Sequence, residues 1–236
     1  MMLFILTGAG VSAESGLGTF RDKGGIWDEF DPMELATPEA FARDPERVHT
    51  FYNLRRRNLL SAAPNDAHRA LTRLEATLTA GGGRLFLCTQ NIDDLHEQAG
   101  SRAVHHMHGE LLVARCGRCG RARVGRTELS TETICEGCSQ IGGMRPDVVW
   151  FGEMPHGLDR IAAALAAADR FVAIGTSGAV YPAAGYVAEA RARGIPTVEL
   201  NLAPSDNAGL FDEARYGPAT ETVPAFVADF LAGQTG

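Results

Sequence analysis

The chain has 236 residues, 45% of them hydrophobic and 22% charged, with a formal net charge of −7. That length suits one large domain, or a core domain with a small insertion. No apolar run approaches the ~18 residues of a membrane span, and nothing supplies the broad basic surface that non-specific nucleic-acid binding needs. Taken in chain order, the apolar start lacks a basic leader and runs directly into a glycine loop, which predicts a first strand over 2–6 and no signal peptide. Helices are predicted over 45–61 and 67–78, strands over 84–89, 103–107 and 148–150, and a helix over 158–168. A strand over 171–175 is followed by a helix over 182–193, which Gly194-Ile195-Pro196 ends, then a strand over 197–201 and a helix over 223–232. Continuously apolar strands separated by helices predict a parallel sheet buried on both faces, hence an α/β fold.

Two segments break the alternation. Residues 28–65 show helical patterns without a strand, and residues 114–145 are rich in glycine and cysteine. Together they form an expected smaller lobe, leaving 1–27, 66–113 and 146–236 as the large lobe of a single 236-residue unit. The smaller lobe carries four of the five cysteines, as Cys116-x-x-Cys119 and Cys135-x-x-Cys138 separated by 15 residues. Two thiolate pairs at this spacing predict a tetrahedral four-sulfur zinc site with no open coordination position, and therefore a structural one. A redox dithiol would need only one pair. The fifth, Cys88, lies in an apolar strand and reads as buried packing. Without an export signal, a reduced cytoplasmic compartment fits this cysteine usage.

The first predicted strand leads into Gly8-Ala9-Gly10-Val11-Ser12-Ala13, a Gly-x-Gly-x-x-Ala loop. Glycines let a backbone turn tightly and approach a pyrophosphate at the start of a helix. A glycine turn in some other α/β protein would look the same. A second strand ending in a ribose-binding acid is missing; a second glycine-rich loop follows, Gly16 to Trp27, containing Thr19, Phe20 and Arg21. That argues against plain hydride transfer. Gln90-Asn91-Ile92-Asp93 follows a strand end, where its amides and carboxylate suit a ligand, although Asp93 or Asp94 could equally cap a helix. His105-His106-Met107-His108-Gly109 offers histidines for base chemistry, metal binding or packing. Tyr52 and Arg55 share a helix face; on pattern alone this face reads as solvated and basic, with Arg56 and Arg57 at the surface.

The motifs from Gly8 through Arg21, Thr89-Gln90-Asn91-Ile92-Asp93, His108-Gly109, Gly175-Thr176-Ser177 and Asn201-Leu202 resemble the sirtuin family in order and spacing over nearly the whole chain. The resemblance implies a Rossmann-like, doubly wound core with a zinc-bearing small lobe. It also implies NAD-dependent removal of acyl groups from protein lysines. NAD would be held by Gly8, Ala9, Gly10, Ser12, Ala13, Thr19, Phe20, Arg21 and Trp27, with Asn91, Asp93, Ile92 and Gln90 at the nicotinamide and ribose. Gly175, Thr176, Ser177, Asn201, Leu202 and Ala219 would lie along the adenosine half. In the implied reaction the acyl oxygen attacks C1′ of the nicotinamide ribose as nicotinamide leaves. His108 then activates a ribose hydroxyl, giving free lysine and O-acyl-ADP-ribose.

Thr19 stands where many members carry aspartate, and Tyr52-x-x-Arg55 is similar to members that remove succinyl, malonyl and related acidic groups. Tyr52 and Arg55 are therefore the implied readers of an acyl carboxylate. Val149, Phe151 and Gly152 are the implied contacts to an acyl-lysine peptide, taken up by strand addition. The expected enzyme is a monomer acting on acyl-lysine proteins, without nucleic-acid or membrane partners. Its rivals are an oxidoreductase, a non-catalytic NAD or ADP-ribose sensor and a mono-ADP-ribosyltransferase.

Overall fold

The structure is a computed structural model describing residues 1–18 and 32–233. A parallel sheet of six strands forms its centre, in the order β3-β2-β1-β7-β8-β9. These strands are β1 (Met2–Thr7), β2 (Arg84–Thr89), β3 (Val104–His106), β7 (Arg170–Ile174), β8 (Thr197–Asn201) and β9 (Glu213–Tyr216). A second, antiparallel sheet has the order β5-β4-β6, from β4 (Gly109–Cys116), β5 (Ala122–Val124) and β6 (Met144–Val148).

The apolar runs behave as strands buried on both faces should. Alternate β1 residues Leu3 and Ile5 join one core with Leu71, Leu74, Val172, Val198 and Phe226. Phe4 and Leu6 face the other core, with Phe86, Phe171, Ile161, Leu165 and Val187. Each such side chain, fully buried, contributes about 1.5–3 kcal/mol of transfer free energy. The first core is covered by α3 (Asp66–Ala80) and α7 (Ala219–Ala232), the second by α5 (Leu158–Ala166) and α6 (Tyr186–Ala192). A third cluster joins α1 (Pro38–Arg43) and α2 (Pro45–Ser61) to the second sheet and to α4 (Leu95–Ala99), through Phe51, Tyr52, Leu95, Leu111, Val148 and Trp150. Proline opens both α1 and α2, and Thr37 and Asp44 cap them by accepting from Ala40 and Arg47 backbone N–H groups.

The expected strand over 148–150 is displaced. β6 ends at Val148 and belongs to the antiparallel sheet, because the Trp150 N–H is taken by the Glu153 carboxylate (2.8 Å) instead of a ladder. The helix expected over 182–193 opens as a 3-10 turn, Ala183–Gly185, and is α-helical only over Tyr186–Ala192. The last helix starts four residues before 223, at Ala219, with Glu14 accepting from the Thr220 N–H and hydroxyl at its first turn. Among the described residues, no helix is long and apolar enough to cross a membrane.

Candidate active site at the meeting of two sheets

Strand order locates a crevice before any side chain is considered. From β1 the sheet winds one way through β2 and β3, and from β7 the other way through β8 and β9. The reversal lies between β1 and β7, and in open α/β sheets ligands bind outside the carboxyl ends of strands at such a switch point. There the Gly8-Ala9-Gly10 loop meets Gly175. Gly8 and Gly10 donate to the carbonyls of Ile174 and Gly175, both at 2.9 Å. A Cβ on Gly10 would lie 2.6 Å from the Gly175 Cα, so only glycine allows this backbone contact. Two 3-10 turns follow, Ala9–Val11 and Ala13–Ser15, where the sequence suggested the start of a helix. The glycines thus pack loop on strand, and the loop stays close to the crevice.

Ser12, 2% exposed, is the centre of a buried polar network. Its hydroxyl donates to Asp93 Oδ2 (3.0 Å), accepts from Asn91 Nδ2 (3.1 Å) and lies 3.4 Å from His68 Nε2. Asp93 Oδ1 also accepts from the Leu95 N–H at 3.2 Å, at the first residue of α4, in keeping with the helix-start reading of this residue. Burial raises the Asp93 pKa, while the bonds from Leu95 and Ser12 oppose the shift. Gln90 is half-buried and its backbone N–H donates to the Thr7 carbonyl; Ile92 packs against the third core, and its carbonyl accepts from Leu111.

The three histidines at the end of β3 separate cleanly. His105 Nε2 lies 2.9 Å from the His156 carbonyl and its ring stacks on Phe86, which is a packing role. His106 contacts the Asn91 carbonyl through Nδ1 and Glu97 through Nε2. His108 Nδ1 lies 3.0 Å from the Gln90 carbonyl. A carbonyl can only accept, so Nδ1 carries the proton and the Nε2 lone pair is left as the basic site. Burial lowers the His108 pKa more than the Gln90 bond raises it, so the ring is neutral near pH 7.

On the other side of His108, its carbonyl accepts from the Val149 N–H at 2.8 Å, and Gly109 pairs with Val148. The turn that carries Val149, Phe151 and Gly152 is pinned by Arg145, which forks onto Glu153 at 2.7 and 2.8 Å and lies over the Trp150 ring. Phe151 and Gly152 are exposed and Val149 is half-buried. The Phe151 N–H is bonded to the Ala36 carbonyl. Trp150 Nε1 donates to Tyr52 Oη (2.9 Å), leaving the phenol proton to be donated elsewhere. Arg55 is half-buried, its guanidinium 6.0 Å from the centre of the Tyr52 ring, and burial lowers its pKa against the pull of Tyr52 and Asp93. Tyr52 is packed, as the bland reading of this face allowed, whereas Arg55 is not fully solvated as that reading expects.

The expectation that Arg56 is at the surface is also wrong. Arg56 is 1% exposed and donates to Asn53 Oδ1 (2.7 Å) and the Leu111 carbonyl (3.0 Å), joining α2 to β4. Arg57 is exposed and paired with Glu128.

Gly175 donates to the Leu200 carbonyl, and Asn201 Nδ2 donates to the Thr176 carbonyl at 2.8 Å, so the ends of β7 and β8 are tied together. Ser177 accepts from the Ala179 N–H, Leu202 is 73% exposed and Ala219 packs against the first core at the start of α7. Thr19, Phe20, Arg21 and Trp27 lie outside the described residues. Sequence reasoning missed Asn65 and His68. Asn65 accepts from the Ala67 N–H and bonds with His68 to close a capping box on α3, and that local role disguises the His68 contact to Ser12.

The four cysteines of the small lobe converge. Cys116 and Cys138 sulfurs are 3.7 Å apart, Cys119 and Cys135 sulfurs 3.6 Å, and all four lie within 4.8 Å of one another. A zinc ion with ~2.3 Å bonds to four tetrahedral thiolates places the sulfurs about 3.8 Å apart, so the donor set fits. Each Cys-x-x-Cys turn is closed the same way, Gly120 donating to the Cys116 carbonyl and Ser139 to that of Cys135.

Comparison with known proteins agrees with this geometry. A protein of Caulobacter vibrioides named NAD-dependent protein deacylase is 62% identical over 232 residues, covering 98% of both chains. A solved complex of a mutant Sir2 homologue with ADP ribose superposes with a TM-score of 0.91 at 39% identity, covering 99% of this chain and 93% of the other. A Sir2 homologue–NAD complex gives 0.89 at 40% identity, covering 98% and 90%. The Sir2 family model matches residues 8–182, and with the switch-point crevice, the His108 loop and the four-cysteine cluster already in place, the chain belongs to the Sir2 family.

Proposed function

We propose that the protein is an NAD-dependent protein-lysine deacylase, transferring an acyl group from lysine to ADP-ribose with release of nicotinamide, and that its substrates include succinyl- and malonyl-lysine as well as acetyl-lysine. The observation that carries this reading is the bond from His108 to the Gln90 carbonyl, which holds a neutral base against the loop that carries Asn91 and Asp93.

NAD, as co-substrate, supplies the ribose that accepts the acyl group. The rest is the work of this chain. Gly8, Gly10 and Gly175 bring backbone close to the crevice, where Ala9, Ser12 and Ala13 would border the phosphates. Asn91 and Asp93, oriented by Ser12, hold the nicotinamide end, with Gln90 and Ile92 beside them. Thr176, Ser177, Asn201, Leu202 and Ala219 border the adenosine end. Thr19, Phe20, Arg21 and Trp27 complete the cofactor set. His108 Nε2 takes a proton from a ribose hydroxyl. Tyr52 and Arg55 bond the distal carboxylate of an acidic acyl group, the phenol donating the proton that Trp150 leaves to it. Val149, Phe151 and Gly152 receive the peptide backbone. Zinc on the four cysteines holds the small lobe (28–65 and 114–145) and takes no part in bond cleavage. The enzyme acts as a cytoplasmic monomer on acyl-lysine proteins.

Acetyl-, malonyl-, succinyl- and glutaryl-lysine peptides incubated with NAD, scored by mass spectrometry, test the reading. Equal amounts of free lysine and nicotinamide are expected. NADH formation, or an ADP-ribosylated peptide with its acyl group intact, would overturn it.

A further inference from the structure

His106 plays no part in the chemistry above, yet both of its ring nitrogens are engaged. Nδ1 is 3.2 Å from the Asn91 carbonyl and Nε2 is 2.7 Å from Glu97 Oε1. A backbone carbonyl accepts only, and so does an ionised carboxylate. A neutral imidazole has one N–H and can satisfy one of them; two N–H groups require the imidazolium. The side chain is 8% exposed, so water does not replace a missing partner. The loop it grips is the one whose Gln90 carbonyl orients His108 and whose Asn91 and Asp93 side chains meet Ser12.

We propose that His106 is a positioning residue that works as an imidazolium clamp, tying the 90–93 loop to Glu97 on α4, and that its loss of a proton sets the alkaline limit of NAD binding. The charges around it agree. Glu97 on α4, Glu110 on β4 and Asp93 on the loop all favour the cation. His96 on α4 and His105 on β3, the neighbouring imidazoles, are kept neutral by their own burial. Burial opposes the charge on His106, but the bond to Glu97 and the acidic neighbours outweigh it, and its pKa lies above the ordinary 6.5. A raised value means that the clamp is complete below the ordinary histidine range and is lost as pH rises through the folded value.

The inference rests on the deacylase reading only for its kinetic arm; the other arm needs no activity. In the NAD-free protein, an NMR titration of the His106 ring is expected to show a midpoint above 6.5, with the Asn91 and Asp93 amide shifts following the same curve. Glu97→Gln, at a half-exposed site that tolerates the change, is expected to lower that midpoint. KM for NAD is expected to rise about 10-fold between about pH 7 and the alkaline plateau, the loss of one charge-assisted bond. In Glu97→Gln this rise moves to lower pH, and in His106→Gln, whose amide can donate but does not titrate, it disappears. A wild-type ring titrating at or below 6.5, or a Glu97→Gln variant with an unmoved midpoint, overturns the clamp whatever the enzyme's activity. If no acyl-lysine peptide is turned over at any pH, the deacylase reading falls, and calorimetric NAD affinity measured across the same pH range decides the clamp instead.

Discussion

His108 differs from its two neighbours in what it leaves undone. His106 spends both nitrogens, and His105 and His108 spend one each, but the His105 ring is buried against Phe86 whereas His108 is only half-buried, which makes His108 the ring with an accessible lone pair to offer. His108→Ala is expected to keep the fold and NAD binding while lowering turnover by about 10²–10⁴-fold; calorimetry beside single-turnover assays checks both halves. Because burial holds the His108 pKa below 6.5, wild-type turnover at saturating NAD is expected to fall on the acid side, as pH drops through that lowered value and the base becomes protonated. Arg55 makes a different demand. If it forks onto an acyl carboxylate, Arg55→Met should lower kcat/KM for succinyl-lysine by about 10–100-fold, the worth of a charge-assisted bond. Acetyl-lysine turnover should change by less than about 3-fold, since that group brings no charge to pair. Equal losses on both peptides would remove the assignment. These positions were legible because a motif names residue types at fixed spacing. Arg56 was not, since three consecutive arginines look alike in sequence, and only the 100° step of a helix turns the middle one inward against Leu111.

At the scale of elements, the strands of the parallel sheet were readable because burial on both faces forces continuous apolar runs such as Leu3-Phe4-Ile5-Leu6. The edge strand β9 and the small-lobe strands were not, whereas β3, at the opposite edge, was read over 103–107. β9 is Glu-Ala-Arg-Tyr, and β5 is three residues paired to one partner only. β4 was hidden for another reason: the chain passes from one sheet to the other within two residues, Met107 and His108, before β4 begins at Gly109. Gly109 has φ +77°, and a Cβ there would overlap the Asp147 carbonyl of β6. Gly109→Ala is therefore expected to cost about 2–4 kcal/mol, from left-handed strain plus steric overlap, and to displace His108 from Gln90. Gly152 gives the control. Its φ is +89°, but nothing lies within 4 Å of its Cβ position, so Gly152→Ala should cost only about 1–2 kcal/mol. Thermal denaturation of the two variants separates strain from overlap. Similar losses of stability would mean that the β4–β6 contact yields, and that the glycine after His108 matters little.

Across the whole molecule, two kinds of cohesion meet at the site. The parallel sheet carries two large apolar cores, one on each face. Beyond Leu112 the second sheet has only Ala114, Cys116, Leu129, Cys135 and Met144 as its own buried cluster, and two of those five are cysteines of the metal set. So small an apolar core cannot offset the ordering entropy of the 114–145 segment, at roughly 1–2 kcal/mol per residue. Zinc binding adds on the order of 10 kcal/mol in small zinc modules, a margin this small core lacks without the metal. Strong chelation is therefore expected to unfold this segment, exposing β5 and the far end of β4 to hydrogen exchange, while amides of β1, β7 and β8 stay protected. The near end of β4 should resist, because Leu111 is bonded to the Ile92 and Arg56 sides independently of the metal. His108 sits at that near end and keeps its bond to Gln90. NAD affinity should then survive chelation better than peptide turnover, which needs the turn after β6 in place. Hydrogen exchange read by mass spectrometry, with zinc content measured on the same sample, checks the order of events. Unchanged protection over 114–145 in zinc-free protein would show that the small lobe folds on its own contacts.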